Sequence, residues 1–261
     1  MSLFHTIILA IIEGLTEFLP VSSTGHMILA SSALGIQETE FVKTFEIAIQ
    51  LGAIMAVAVV YFKRFLSGIN IYLKLLAAFI PTAVIGKLAY KTIKTALFNP
   101  YVVSVSLIVG GILLLLLDRW SKEKKTSVEK TENISWGGAF ITGLVQCLSM
   151  VPGVSRAAAS IFGGMIGGFN RRQAAEFSFL LAIPTMLAAT AYDLLKTKAT
   201  LDHHEIKLML IGGIIAFFSA LLVVKTFIGF IDKYGFKPFG YYRIAAGIAF
   251  LLMAYYGKLL M

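Results

Sequence analysis

The chain has 261 residues, 58% of them hydrophobic and only 14% charged, with a mean hydropathy of +0.83. Soluble domains carry about 25% charged residues, so this composition excludes a soluble globular protein, and the length leaves no room for a separate soluble domain. The net charge of +9 does not point to nucleic acid: Lys and Arg collect in short loops and at segment ends, where they set topology and meet anionic lipid.

The first segment, residues 3–36, is apolar but interrupted. It carries two acids, Glu13 and Glu17, within Ile11-Ile-Glu-Gly-Leu-Thr-Glu-Phe-Leu-Pro20. A carboxylate at bilayer depth costs roughly 2.5–3.5 kcal/mol on insertion scales, and the i, i+4 spacing places both on one helix face. Pro20 then breaks the run, and Ser22-Ser-Thr-Gly-His26 follows. The acids suit a hard cation such as Mg²⁺ or Ca²⁺, a held proton or a general base; the residues alone leave these open. Ser22, Ser23 and Thr24 offer hydroxyls at the start of the next helix, whose free N–H groups favour an anion, and His26 can shuttle a proton. Glu13 also interrupts the apolar run where a cleaved signal peptide would need one, so no such peptide is expected.

Stretches 44–62, 70–90 and 99–118 are long enough to span lipid. Arg119-Trp-Ser-Lys-Glu-Lys-Lys125 is the densest basic loop and is expected in the cytoplasm, with Lys63-Arg64 on the same side; Lys87, Lys91 and Lys94 blur that count. Residues 121–133 form a solvated linker. Beyond it, residues 134–168 repeat the pattern of an apolar segment broken by Pro152-Gly153 and Ser155-Arg156. Non-helical backbone at membrane depth is tolerated where it is buried in protein or lines a cavity, so both broken segments read as re-entrant helix–loop–helix hairpins. An arginine in apolar sequence needs an anionic partner. Arg156 can pair with Glu176 or Glu17, or grip a phosphate with its planar guanidinium. Arg171-Arg172 read as interfacial anchors. The single Cys147 precludes an intrachain disulfide.

Three further spans follow at 173–195, 206–232 and 241–260. His203-His204-Glu205 reads as a solvated loop, Lys225 as a snorkelling cation, and Tyr241-Tyr242-Arg243 as an interfacial belt. The two halves, approximately 1–120 and 134–261, resemble each other: Glu13 aligns with Gln146, Ser22 with Ser155, and Glu46 with Glu176. Gln50 and Ser178 lie near the last pair at helical spacing. Corresponding interrupted segments point to a site at a repeat interface. The expected fold is an all-α polytopic membrane protein, a single integral membrane domain of about six spanning helices plus two re-entrant hairpins in an inverted-topology repeat.

Glu13-Gly-Leu-Thr-Glu17, Pro20-Val-Ser-Ser-Thr-Gly-His26, Lys43-Thr-Phe-Glu-Ile-Ala-Ile-Gln-Leu-Gly52, Pro152-Gly-Val-Ser-Arg156 and Ala175-Glu-Phe-Ser-Phe-Leu-Leu-Ala182 resemble the undecaprenyl-diphosphate phosphatases of the bacitracin-resistance type, over nearly the whole chain. The resemblance implies a multi-pass enzyme of the bacterial cytoplasmic (inner) membrane with its site facing the outer side. It would cleave undecaprenyl diphosphate to the monophosphate carrier of peptidoglycan precursors and inorganic phosphate, using a divalent cation. By motif, Glu13 and Glu17 bind metal, Glu17, Ser23, His26 and Arg156 are catalytic, and Ser22, Thr24, Ser155 and Arg156 bind substrate. The chain departs from the usual second motif, with Ala157 and Ser160 where the family tends to carry Ser and Thr, which puts part of the hydrogen bonding there in doubt. Ser23 with His26 as its base, or a water activated by His26 or Glu17, can attack. The partners expected are the polyprenyl diphosphate and membrane lipids, with a homodimer left open. A secondary transporter or flippase for a lipid phosphate or small anion is the alternative of a different class.

Overall fold

The computed structural model describes residues 1–37, 39–66, 68–96, 99–121, 134–196 and 201–256, and of residues 89–96, 121 and 194–196 the backbone alone. Among the described residues every regular element is helical. The first broken segment is α1 (Leu3–Thr16) and α2 (Ser23–Ala33). Next come α3 (Glu40–Val60), the single-turn α4 (Phe62–Phe65), α5 (Ile69–Ala96) and α6 (Pro100–Ser121). The second broken segment is α7 (Trp136–Gln146), a 3₁₀ turn (Cys147–Met150) and α8 (Arg156–Ile166), followed by α9 (Arg171–Lys196), α10 (His203–Tyr234) and α11 (Lys237–Tyr255). All of the expected linker but Ser121 lies outside the described residues.

Helix starts are set by side chains that accept otherwise orphaned backbone donors. Ser2 caps His5 N, Thr39 caps Val42 N, and Ser135 caps Gly138 N. Asp202 and Glu205 form a reciprocal capping box. That box makes His203-His204-Glu205 the first turn of α10 rather than a loop; both histidines are exposed.

Five of the helices (α3, α5, α6, α9 and α10) are long and apolar enough to cross a membrane, and the chain is a multi-pass membrane protein. The sixth expected span is the 19-residue α11, made less apolar by Lys237, Tyr241, Tyr242 and Arg243. The molecule is apolar inside and out: Phe45, Phe177, Phe179 and Phe227 are fully enclosed or nearly so, while Leu116, Ile214, Phe218 and Leu222 stand on its surface. An outer face of this kind is solvated by lipid tails.

The order of the helices is that of an inverted-topology repeat. If α3 runs from one membrane face to the other, the short links return the chain in α5 and send it across again in α6. The second hairpin therefore enters from the face opposite the first, and α9, α10 and α11 run opposite to α3, α5 and α6. Packing obeys the same symmetry: α10 packs on α3 and α1, and its counterpart α5 packs on α9 and α7. The counterparts α3 and α9 touch each other, as do α6 and α11. Helices approach closely at small residues. A Cβ on Gly52 would run into the main chain of Gly213, and one on Gly143 into that of Ala78.

At the end where α3, α6 and α10 finish, three arginines are tied to acids. Arg64 and Arg172 flank the buried Glu176 at 3.5 and 3.2 Å, and Arg171 meets the buried Asp118 at 2.9 Å. Asp118 also accepts from Phe236 N at 2.9 Å. Arg171 and Arg172 are thus bundle clamps as well as anchors, and Glu176 serves this end. Lys225 is exposed on α10, as a snorkelling cation would be.

Candidate active site

Each broken segment restarts its helix at a serine with left-handed backbone. Ser22 (φ 73°) and Ser155 (φ 76°) are the only non-glycine residues with positive φ among the described residues. Such a conformation costs about 1–3 kcal/mol. Each serine side chain caps the helix it begins, Ser22 Oγ accepting from Gly25 N and Ser155 Oγ from Ala158 N at 3.2 Å. The strained pair aims the first residue of each new helix, Ser23 and Arg156, toward one point from opposite halves.

Ser23 Oγ donates to Glu17 Oε2 at 2.6 Å, and Arg156 Nη2 donates to Glu17 Oε1 at 2.9 Å. Both oxygens of Glu17 are therefore engaged, one by each half. Ser23 and Glu17 are buried, and Arg156 is 12% exposed by its side chain. Arg156 Nη1 is held by the Ser178 carbonyl at 3.1 Å, and the guanidinium lies 5.5 Å from the Phe18 ring. Ser178 Oγ shares a 2.7 Å hydrogen bond with Ser160 Oγ, which also donates to Arg156 O at 2.8 Å. Ser160 thus steadies the arginine. Ala157 is fully buried, so the hydroxyl this chain lacks there would have pointed into packed protein.

Glu13, one turn before Glu17, is 1% exposed, and Glu17 and Glu46 are both close enough to act on it electrostatically. Two buried carboxylates one turn apart need a shared proton or a cation. Glu13 Oε1 is buried without a hydrogen-bond partner, and so is Arg156 Nε. One acceptor and one donor are thus left unsatisfied, on the acidic and basic sides respectively. Among the described residues no three His, Cys, Asp or Glu side chains form a metal-holding group. The donor set fits an ion such as Mg²⁺ that takes one or two carboxylates and completes its shell with water and phosphate oxygens.

The remaining residues separate. Ser22 and Ser155 are buried caps, and Thr24 is exposed. His26 turns toward α11: Nδ1 is 2.8 Å from Ser22 O, and Nε2 meets the Tyr242 hydroxyl. The hydrogen-bond acceptor of Ser23 is Glu17, not His26. Gln146, the counterpart of Glu13, donates to Thr82 Oγ1 at 3.0 Å and Thr185 Oγ1 at 3.3 Å.

Arg243 departs furthest from its expected place in an interfacial belt. It is fully buried rather than interfacial. Nη1 donates to Pro20 O (3.1 Å) and Val154 O (3.0 Å), Nη2 to Ser106 O (3.1 Å) and Gly153 O (2.9 Å), and Nε to Leu107 O (3.4 Å). All five guanidinium N–H groups are spent on carbonyls of both loops and of α6. Gly110 leaves the room for it, because a Cβ there would meet the guanidinium. Like Arg156, Arg243 is an arginine in an apolar stretch and needs partners; here they are main-chain groups that no residue type announces. Tyr242, read only as part of an interfacial belt, is likewise a contact of the site.

The sequence matches the family described as bacitracin resistance protein BacA over residues 6–249. It is 55% identical over 259 residues to a protein of Flavobacterium psychrophilum named undecaprenyl-diphosphatase, covering 98% of this chain and 97% of that one. Proteins of the same name from Wolinella succinogenes (51% over 251 residues) and Aquifex aeolicus (48% over 251 residues) each cover 96% of this chain and are themselves covered to 98%. With matches spanning nearly its full length, the chain belongs to the bacitracin resistance protein BacA family.

Proposed function

We propose that the chain hydrolyses undecaprenyl diphosphate to undecaprenyl phosphate and inorganic phosphate, and so recycles the lipid carrier of peptidoglycan precursors and confers bacitracin resistance. The observation that carries this reading is the Ser23–Glu17–Arg156 chain of contacts, which joins a nucleophile, a base and a phosphate-binding cation across the repeat interface, together with relatives named for that activity.

Glu17 accepts the Ser23 proton as Oγ attacks the terminal phosphorus. The bridging P–O bond breaks, and undecaprenyl phosphate leaves. Water then hydrolyses the phosphoserine, releasing inorganic phosphate and returning the proton. Arg156 turns its guanidinium to the phosphate, where the unpartnered Nε adds a donor to the charge that develops. Ser160 and Ser178 hold that arginine in place. A divalent cation, Mg²⁺ or Ca²⁺, would be held by Glu13 with Glu17 and would neutralise phosphate charge. The basic residues at the end where α3, α6 and α10 finish support a cytoplasmic location for that end. The first hairpin then enters from the outer face of the bacterial inner membrane.

Phosphate release from undecaprenyl diphosphate in detergent tests the reading, with and without a chelator. Metal-dependent release that vanishes in Glu17→Gln and in Arg156→Met is expected. Absence of release, with substrate-driven flux in liposomes instead, would turn the assignment to a transporter or flippase.

A further inference from the structure

The imidazole of His26 has two neighbours that together define its chemical form. Ser22 O, 2.8 Å from Nδ1, is a carbonyl and can only accept, so Nδ1 carries the hydrogen. In the neutral ring Nε2 is then the acceptor, and the Tyr242 hydroxyl is the donor that meets it. The two rings also stack, 5.5 Å apart and 8° from parallel. The charged group acting on the imidazole is the Arg243 guanidinium, next to Tyr242 on α11. That helix therefore grips the first hairpin twice, through Arg243 at Pro20 in the loop and through Tyr242 at His26 in the first turn of α2.

We propose that Tyr242 is a positioning residue of this site: in the resting protein its hydroxyl fixes His26 as the Nδ1–H tautomer and sets the ring's orientation, and it yields the Nε2 lone pair when substrate or water brings a proton. The proposal rests on the reading of His26 as a working residue of a diphosphatase. It also gives Ser22 a second stabiliser, because the Nδ1–H bond ends on the carbonyl of the strained residue that aims Ser23. An interfacial tyrosine with no such role would leave its hydroxyl to water and headgroups.

The test compares Tyr242→Phe, which keeps the ring and its stacking, with wild type and with His26→Gln. Turnover is measured on undecaprenyl diphosphate in detergent. Ring ¹⁵N spectra of histidine-labelled protein are recorded, and the His26 signals are assigned by their absence from His26→Gln. Tyr242→Phe is expected to lose about three- to tenfold in kcat, as for one hydrogen bond, with KM near wild type. Its His26 signals are expected to move from a single Nδ1–H tautomer toward a mixture. Wild-type kcat and an unchanged His26 spectrum in Tyr242→Phe, with His26→Gln inactive, would overturn the inference and leave the site reading standing. Full activity in His26→Gln would overturn the role of His26 itself and the inference with it.

Discussion

Arg156 of the second repeat half holds Glu17 of the first at 2.9 Å, with both side chains largely enclosed. Glu13 lies one turn away, buried and close enough for the two acids to act on each other electrostatically, so the guanidinium is the cation that makes this acidic corner tolerable. Breaking a buried pair by removing one partner costs about 3–5 kcal/mol. Arg156→Met leaves two adjacent acids without a cation and is expected to lower the melting temperature in detergent markedly. Glu17→Gln leaves an arginine that still has the Ser178 carbonyl and the Phe18 ring, and should destabilise less. Both variants should lose at least about 10²-fold in phosphate release, the usual worth of a general base. The double variant should recover part of the stability and none of the activity.

The matched serines make a separate prediction. Ser22→Ala and Ser155→Ala each remove a cap and keep a side chain at positive φ, and should cost about 1–2 kcal/mol. Ser22→Gly and Ser155→Gly remove the same cap but relieve the backbone, since glycine adopts φ near 70° freely, and should cost only a few tenths. Thermal unfolding of the four variants checks the order. An equal cost for alanine and glycine would mean that the left-handed backbone is not what these positions require.

Much of this architecture was legible because it is written in residue classes. The six long apolar stretches, the breaks at Pro20 and Pro152-Gly153, and the pairing of Ser22 with Ser155 all reappear as elements or joints of the structure. The Arg156–Glu17 pair was one of the pairings open to the sequence. What could not be read was direction. The spacing of Ser23 and His26 allowed a base–nucleophile pair, yet the positive φ of Ser22 turns Ser23 to Glu17 and leaves His26 facing Tyr242. Arg243 was hidden because its partners are five carbonyls, and Glu176 stayed open as a partner of Arg156 because only the fold shows Arg64 and Arg172 beside it.

The unpartnered Oε1 of Glu13 leads to a prediction on metal dependence. A chelator should abolish turnover of the wild-type protein, and added Mg²⁺ or Ca²⁺ should restore it. Glu13→Gln keeps the shape but weakens a carboxylate ligand, so it should need a higher cation concentration for half-maximal activity. Metal titrations of the two proteins at saturating substrate check this. Identical titration curves would remove Glu13 from the cation site.

The two loops meet because one side chain binds both. Arg243 is fully buried and spends its five donors on Pro20, Val154, Gly153, Ser106 and Leu107. Arg243→Met would leave those carbonyls without the donors that satisfy them in a site closed to water, at about 1–3 kcal/mol for each that finds no substitute. Arg243→Lys retains a charge but has three donors on a single nitrogen and cannot reach both loops and α6 together. Gly110→Ala attacks the same joint from the other side, placing a methyl group where the guanidinium lies. All three variants should unfold at lower temperature in detergent than wild type. Gly110→Ala should lose turnover in proportion to how far it displaces Arg243, although it touches none of Glu17, Ser23 and Arg156. Combining Gly110→Ala with Arg243→Met should cost much less than the sum of the two single changes, because once the guanidinium is gone the added methyl group no longer collides with it. Full additivity in that cycle would show that Gly110 and Arg243 act independently, and that the loops are held together by something else.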